Sequence, residues 1–466
     1  MPKASNLKNS TLPKADPVKV EDIIKPATDT EASPAIAASA GAVVNYRDSW
    51  RIFRIITEFV EGYQFLADLK KEVTILGSAR IPSNNKYYKI AEDLGYLLGK
   101  NGFATITGGG PGIMEAANKG AFEGGGVSVG LNIQLPREQR VNPYVNKSTA
   151  FYYFFSRKVM LTSPANAFVF FPGGFGTLDE FFEVVDNMEN GHIPKVPVIL
   201  VGKEFWGPIV SFLKAKSARD VHSVDEEEIN RWQVVETAKE AFEFIKDTSD
   251  RPHVCEPGST DLYCEGGLDW SIFRIMAELV DGFEFLTKIS NSVTVLGTKS
   301  LLPGTSYYNA AYEVGQLLAE NQFTIVTGGG PGIMEAANKG AFEKGGVSVG
   351  INMRVEKGER VNNYITKSLG FFFPFVRKLI ITSPAKAFIY FPGGFGTLHQ
   401  LFEMLTLQET KKIEPIPTIL YGREFWKPLL DIIHSMSYEF KTISQIDEDF
   451  LKVINDPKDI LPYLKK

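Results

Sequence analysis

The chain repeats itself. Gly108 to Gly130 reads GGGPGIMEAANKGAFEGGGVSVG, and the stretch beginning at Gly328 reads the same except that Lys344 stands where Gly124 does. Gly108 answers Gly328, so the offset is 220 residues. It holds from Trp50/Trp270 through Gly77/Gly297, Arg157/Arg377 and Pro172-Gly-Gly-Phe-Gly-Thr177/Pro392-Gly-Gly-Phe-Gly-Thr397 to Trp206/Trp426. A period this long exceeds any solenoid repeat, so each copy is expected to carry its own core in a tandem of domains. With 466 residues, 44% of them hydrophobic, the chain can bury two such cores. Inside matched motifs the copies part most clearly at Asp179-Glu180 against His399-Gln400.

Residues 1–44 are rich in Lys, Pro, Ala, Ser and Thr without a helical or strand period, and read as a disordered tail. The Ala-rich run from Pro34 to Val44 follows Asp29 and Glu31. It lacks both the basic-then-apolar order of a signal peptide and the length of a membrane span, so a cytoplasmic protein is expected. Residues 45–246 make copy 1, 247–266 a linker with Pro and Gly, and 267–466 copy 2. A net charge of −5 provides no basic field for nucleic acid or anionic lipid, so neither is an expected partner. Cys255 and Cys264 both fall in the linker, which rules out a disulfide framework. Together with His253 they fit no zinc spacing and read as linker thiols, and neither a metal nor a cofactor is expected.

Each copy opens with an amphipathic helix, marked in copy 1 by Trp50, Phe53, Ile56, Phe59, Val60 and Phe65. The apolar run Val73 to Leu76, ending at Gly77, reads as a strand. Helix and strand then alternate: helix Tyr87 to Leu98, strand Phe103 to Thr107, helix from Gly112, strand Val127 to Asn132, helix around Arg157, strand Ala167 to Phe171, helix from Thr177, strand Val196 to Val201. That alternation predicts an α/β fold of two tandem doubly wound, Rossmann-like parallel sheets, with ligands beyond the carboxyl ends of the strands.

Two glycine-rich loops stand at such ends, Thr107-Gly-Gly-Gly-Pro-Gly112 and Pro172-Gly-Gly-Phe-Gly-Thr177, each leading into a helix. Glycine lets a backbone approach a ligand closely, and a helix start offers free N–H groups and partial positive charge to a phosphate. Glycines also make tight strand-to-helix turns without binding anything; two converging loops favour the phosphate. A dinucleotide fingerprint is absent, because the first loop, Gly77-Ser-Ala-Arg80, is almost free of glycine and Ile113 stands where the last glycine of the rich loop would fall. No P-loop sequence occurs either.

GGGPGIMEAANKGA, the Arg157-Lys158 pair opening a helix, and PGGFGTLDE together resemble the LOG (Lonely guy) nucleotide 5′-monophosphate phosphoribohydrolases, often mislabelled lysine decarboxylases. The resemblance covers Trp50 to Val201 and again Trp270 to Tyr421. It implies cleavage of the N-glycosidic bond of a nucleoside 5′-monophosphate, AMP or a cytokinin riboside monophosphate, to free base and ribose 5-phosphate. It further implies that Gly173, Gly174, Gly176 and Thr177 hold the phosphate, that Glu180 orients or deprotonates the attacking water, and that Arg157 contacts the nucleotide and stabilises developing charge with Lys158 beside it. Gly77, Ser78, Arg80, Gly109, Gly110 and Met114 complete the implied substrate contacts. Without the motif, Glu180 reads as a solvated acid favoured by the helix dipole and Arg157 as a surface cation. A carboxylate near the anomeric carbon suits an oxocarbenium-like transition state electrostatically and as base.

Copy 2 keeps Arg377, Lys378, Gly393, Gly394, Gly396 and Thr397 as candidate binding residues, but Gln400 replaces the glutamate and Ser300 replaces Arg80. An amide is no base, and His399, about a hundred degrees around the helix from Gln400, does not take its place. The rivals to a hydrolase are a non-catalytic nucleotide-binding or regulatory module and a pyridoxal-dependent decarboxylase, for which no lysine is placed to form a Schiff base. The family implies homodimers, so the fused copies are expected to form an intramolecular pseudo-dimer through Phe53 and Phe59 and their counterparts Phe273 and Leu279, with further oligomerisation open.

Overall fold

The computed structural model describes residues 46–134, 141–249, 268–354, 361–444 and 450–464. The expected tail and most of the linker, with His253, Cys255 and Cys264, lie outside the described residues.

Copy 1 runs α1 (Tyr46–Leu66), β1 (Glu72–Leu76), α2 (Lys86–Lys100), β2 (Ala104–Thr107), α3 (Ile113–Glu123), β3 (Ser128–Ile133), β4 (Lys147–Phe151), α4 (Phe154–Thr162), β5 (Ala167–Phe170), α5 (Phe175–Glu189), β6 (Val198–Val201), α6 (Lys203–Phe212), α7 (Glu226–Asn230), β7 (Gln233–Val235) and α8 (Ala238–Ile245). Copy 2 repeats this from α9 (Leu268–Leu286) through β8 (Ser292–Leu296), α10 (Ser306–Glu320), β9 (Thr324–Thr327), α11 (Ile333–Glu343), β10 (Ser348–Met353), β11 (Lys367–Phe371), α12 (Pro374–Thr382), β12 (Ala385–Tyr390), α13 (Phe395–Glu409), β13 (Thr418–Tyr421) and α14 (Arg423–Tyr438) to β14 (Leu451–Ile454).

All seven strands of copy 1 are parallel, in the order β4-β3-β2-β1-β5-β6-β7, and copy 2 matches them as β11-β10-β9-β8-β12-β13-β14. Both domains are doubly wound α/β folds. The winding reverses between β1 and β5, so the crevice beyond their carboxyl ends is the switch point at which such sheets bind ligands. β4 and β7 add edge strands that the apolar runs do not announce. Both are short and partly exposed, so burial writes only a weak pattern into them.

The cores depart from two self-contained units. One face of each sheet has its own cluster, under α2, α3 and α8 in copy 1 and under α10 and α11 in copy 2. The opposite faces share a single core that runs from Phe59, Phe170 and Phe181 to Phe375, Tyr390 and Phe402. The principal contact between the copies is α5 on α13. Phe182 stacks on Phe402, its own counterpart, at 5.4 Å and 6°, and Phe155 stacks on its counterpart Phe375 at 6.0 Å and 8°. Phe59 joins this junction at 5.2 Å from Phe375, and Leu279 is buried. Phe53 and Phe273 do not join it: they are 58% and 61% exposed. The reason lies in their place on the helix: the buried stripe of α1, Ile52, Ile55, Phe59 and Tyr63, faces α4 and also α9 of copy 2, and Phe53 lies off it, whereas α5 is buried nearly all round, Asp179, Glu180 and Glu183 included.

Candidate active site

Three loops meet beyond β1, β2 and β5. Ser78 N–H donates to the Pro172 carbonyl at 3.1 Å, and Ile113 N–H donates to the Ser78 carbonyl at 3.1 Å, so the loop after β1 ties the other two together. Gly112 has φ +70°, and a Cβ there would lie 2.4 Å from the Ser78 carbonyl; only glycine lets the rich loop pass. Asn142 shapes the same loop from outside, its amide donating to the carbonyls of Gly109 and Gly110 at 3.1 Å and to Asn118 Oδ1 at 2.9 Å, while Thr107 Oγ1 donates to Asn118 Oδ1 at 2.7 Å. Met114 stands in the first turn of α3.

The PGGFGT loop leads straight into α5, which starts at Gly174 without a side-chain cap. An uncapped helix start leaves N–H groups and the positive end of the dipole for an anion. A Cβ on Gly173 would sit 2.0 Å from Thr177 Oγ1, so glycine is needed to let the threonine hydroxyl fold back over the loop. Gly174 faces the other copy: a Cβ there would come 2.8 Å from the Thr442 carbonyl. In mirror fashion Ser217 Oγ donates to the Gly393 carbonyl at 3.0 Å. Each loop is thus backed by the opposite copy.

Arg157 enters from α4. Glu58 of α1 accepts from the N–H groups of Tyr152 at 2.7 Å and Tyr153 at 3.3 Å, which fixes the start of that helix. Arg157 Nε donates to the Leu131 carbonyl at 2.8 Å, and its Nη1 lies 3.8 Å from Glu180 Oε1. Glu180 is 5% exposed, which removes the solvated-acid reading, and its Oε2 has no hydrogen-bond partner among the described residues. Burial pushes its pKa up to about 7, against the pull of Lys158 and Arg157. Such a carboxyl is balanced between acid and base near neutral pH.

Lys158 is turned inward, 2% exposed, with Nζ 2.6 Å from Asp179 and 3.2 Å from Glu183. Burial disfavours its charge, but Asp179, Glu183 and their neighbours outweigh burial and hold its pKa well above the usual lysine value. A lysine held cationic in this way is the opposite of a Schiff-base nucleophile. Arg80 spans the copies, its Nη2 lying 2.7 Å from Glu409 of α13.

Copy 2 builds the same frame with other side chains. Arg377 Nε donates to the Ile351 carbonyl at 2.8 Å, and α13 also starts uncapped at Gly394. Lys378 Nζ lies 2.5 Å from His399 Nδ1 and 3.4 Å from Asp186 of copy 1. His399 faces the junction, its Nε2 3.6 Å from Asp179, while Gln400 lines a cavity of about 330 Å³ together with Gly394, Gly396 and Thr397. Burial and Lys378 lower the His399 pKa; Lys378 and His399 hold Asp186 well below the ordinary value despite burial. Asn118, Asn142, Glu58 and Asp186 were not singled out in the sequence. For the first three the signal was present, since Asn338, Asn362 and Glu278 repeat them at the same offset.

A family model described as "Possible lysine decarboxylase" matches residues 114–245 and again 334–464. The chain is 27% identical over 150 residues to a cytokinin riboside 5′-monophosphate phosphoribohydrolase of Rhodococcoides fascians, covering 31% of this chain and 74% of the relative. It is 34% identical over 131 residues to the enzyme of that name called LOG from Oryza sativa subsp. japonica, covering 27% of this chain and 53% of the relative. The chain belongs to the LOG family, in two tandem copies. Among solved structures, a molybdenum cofactor binding protein from Rippkaea orientalis aligns with 38% of the chain and 93% of its own length at 21% identity and a TM-score of 0.30. Among the described residues of the LOG copies, no cluster of His, Cys, Asp and Glu could hold a metal ion, and no helix is long and apolar enough to cross a membrane.

Proposed function

We propose that copy 1 hydrolyses the N-glycosidic bond of a nucleoside 5′-monophosphate, AMP or a cytokinin riboside monophosphate, giving free base and ribose 5-phosphate. The observation that carries this reading is Glu180. It is a buried carboxyl with a pKa of about 7 and one unpartnered oxygen, one turn beyond an uncapped glycine loop and 3.8 Å from Arg157. The 5′-phosphate rests on the start of α5 and the Thr177 hydroxyl. Glu180 takes a proton from water as the water oxygen bonds to C1′; the C1′–N bond breaks, its electron pair leaves on the base, and the proton held by Glu180 passes to the base, which restores the carboxylate. Arg157 and the ionised Glu180 offset charge as it develops. The activity in the names of the relatives supports this reading.

The two copies act as a pseudo-twofold dimer within one chain, a reading supported by the Phe182/Phe402 and Phe155/Phe375 pairs, in which equivalent residues meet each other. The test is chromatographic detection of free base from AMP and from an N6-prenylated AMP, with carbon dioxide release from lysine measured in parallel. Base release supports the hydrolase. Nucleotide binding without release favours a binding module, and carbon dioxide from lysine a decarboxylase.

A further inference from the structure

The cavity of copy 2 is a built feature that the hydrolysis does not use. Its volume, about 330 Å³, is at the lower end of those that hold small ligands. The uncapped start of α13 and Arg377 form one side; Asp186 and Glu189 of α5 and Asn190 just past its end, from the other copy, close it. Lys299, Arg354, Arg377 and Lys378 outnumber Asp186 and Glu189 on its wall, and burial followed by the Asp186 charge pushes the Glu189 carboxyl up to about 7. The balance favours an anion. Gln400, 5% exposed, faces this space, and its side-chain amide makes no hydrogen bond among the described residues. It offers a donor and an acceptor to a ligand, and no base.

A line of contacts leads from the cavity to copy 1. Lys378 is in its wall and 2.5 Å from His399 Nδ1; His399 Nε2 is 3.6 Å from Asp179; Asp179 is 2.6 Å from Lys158. Asp186 and Glu180 ride on the same helix, α5.

We propose that copy 2 is a second nucleoside 5′-monophosphate site, one that binds without cleaving and whose occupancy changes the affinity of copy 1 through Lys378, His399 and α5. The ligand class rests on the proposed function; the cavity and the contact line do not. A phosphate at the start of α13 competes with Asp186 and His399 for Lys378. That alters the counter-ions of the helix that carries Glu180, and linkage makes the effect reciprocal.

The test is AMP binding by titration calorimetry to the full chain carrying Glu180→Gln, with base release followed in the same samples. Two equivalents are expected. Adding Arg377→Ala, or the milder Thr397→Val should the first fail to fold, removes one of them. It also shifts the dissociation constant of the remaining step at least about fivefold from its value in the two-site protein, the lower end of ordinary coupling. A single equivalent that survives both substitutions overturns the site. Two equivalents whose remaining constant stays within about twofold overturn the coupling. Base release by Glu180→Gln that Arg377→Ala abolishes overturns binding without cleavage. A wild-type protein that releases no base yet binds two equivalents removes the hydrolase reading and leaves the second site standing.

Discussion

Helices α5 and α13 occupy equivalent places and differ in charge. α5 carries Asp179, Glu180, Glu183 and Asp186; the same positions of α13 are His399, Gln400, Glu403 and Thr406. Both lysines, Lys158 and Lys378, nevertheless touch a carboxylate, because Asp186 of copy 1 reaches Lys378 at 3.4 Å. Copy 2 has His399 where copy 1 has Asp179, and Thr406 where copy 1 has Asp186. At these four positions α5 has four acids against one, Glu403, on α13, while each copy has one buried lysine at the junction. The difference teaches that the copies are not interchangeable: copy 1 alone has a carboxyl at the Glu180/Gln400 position, and its Asp186 supplies copy 2 with a counter-ion.

The largest expected effect breaks the pair apart. Residues 267–466 expressed alone expose the face that joins the shared core and leave Lys378 without Asp186, so the fragment is expected to lack a cooperative melt. A sharp calorimetric transition for the fragment would contradict this. Next come the buried ions. Lys158→Met leaves Asp179 and Glu183 unpaired and is expected to cost roughly 3–5 kcal/mol in denaturant unfolding. Lys378→Met should cost less, because it strands one carboxylate, Asp186, which Asn190 still contacts at 3.0 Å.

The pH dependence separates position 180 from position 400. The Glu180 carboxyl has a folded pKa of about 7, above its ordinary 4.5. Its contribution to stability is fully present below the ordinary value and lost as pH rises through about 7. The loss is on the order of 3 kcal/mol, and urea titrations from pH 5 to 8 should find it missing from Glu180→Gln. The same ionisation makes the base, so kcat/KM for base release should climb through about pH 7 and level off above it. The smallest effect belongs to the bridge across the copies. Arg80 is 43% exposed, so Glu409→Gln should change stability by less than about 1 kcal/mol and shift KM only a few-fold.

The strands at the switch point were legible in the sequence because each is an apolar run buried on both faces, stopped by Gly77 after β1 and by Pro172-Gly173 after β5. β4 and β7 were not, being partly exposed at the edges. The site loops were legible from glycine placement, and Glu180 and Arg157 from the motif, since on composition alone either reads as a surface charge. Helices α1 and α9 do meet across the copies, as their stripes suggest, but Phe53 and Phe273 lie exposed off those stripes; the larger α5–α13 contact is not announced, because α5 mixes acids with its apolar residues and is nevertheless buried nearly all round. Asp186 could not be read at all. Its role depends on Lys378, and nothing local in sequence connects two residues 192 positions apart.

The most direct measurement compares base release from AMP by the wild-type chain and by Glu180→Gln. The account predicts a fall of at least about a hundredfold in kcat, the lower end of what a positioned general base contributes, with the AMP dissociation constant of copy 1 within a few-fold of wild type. Release at the wild-type rate from Glu180→Gln would contradict it and move the chemistry to the cavity beside Gln400.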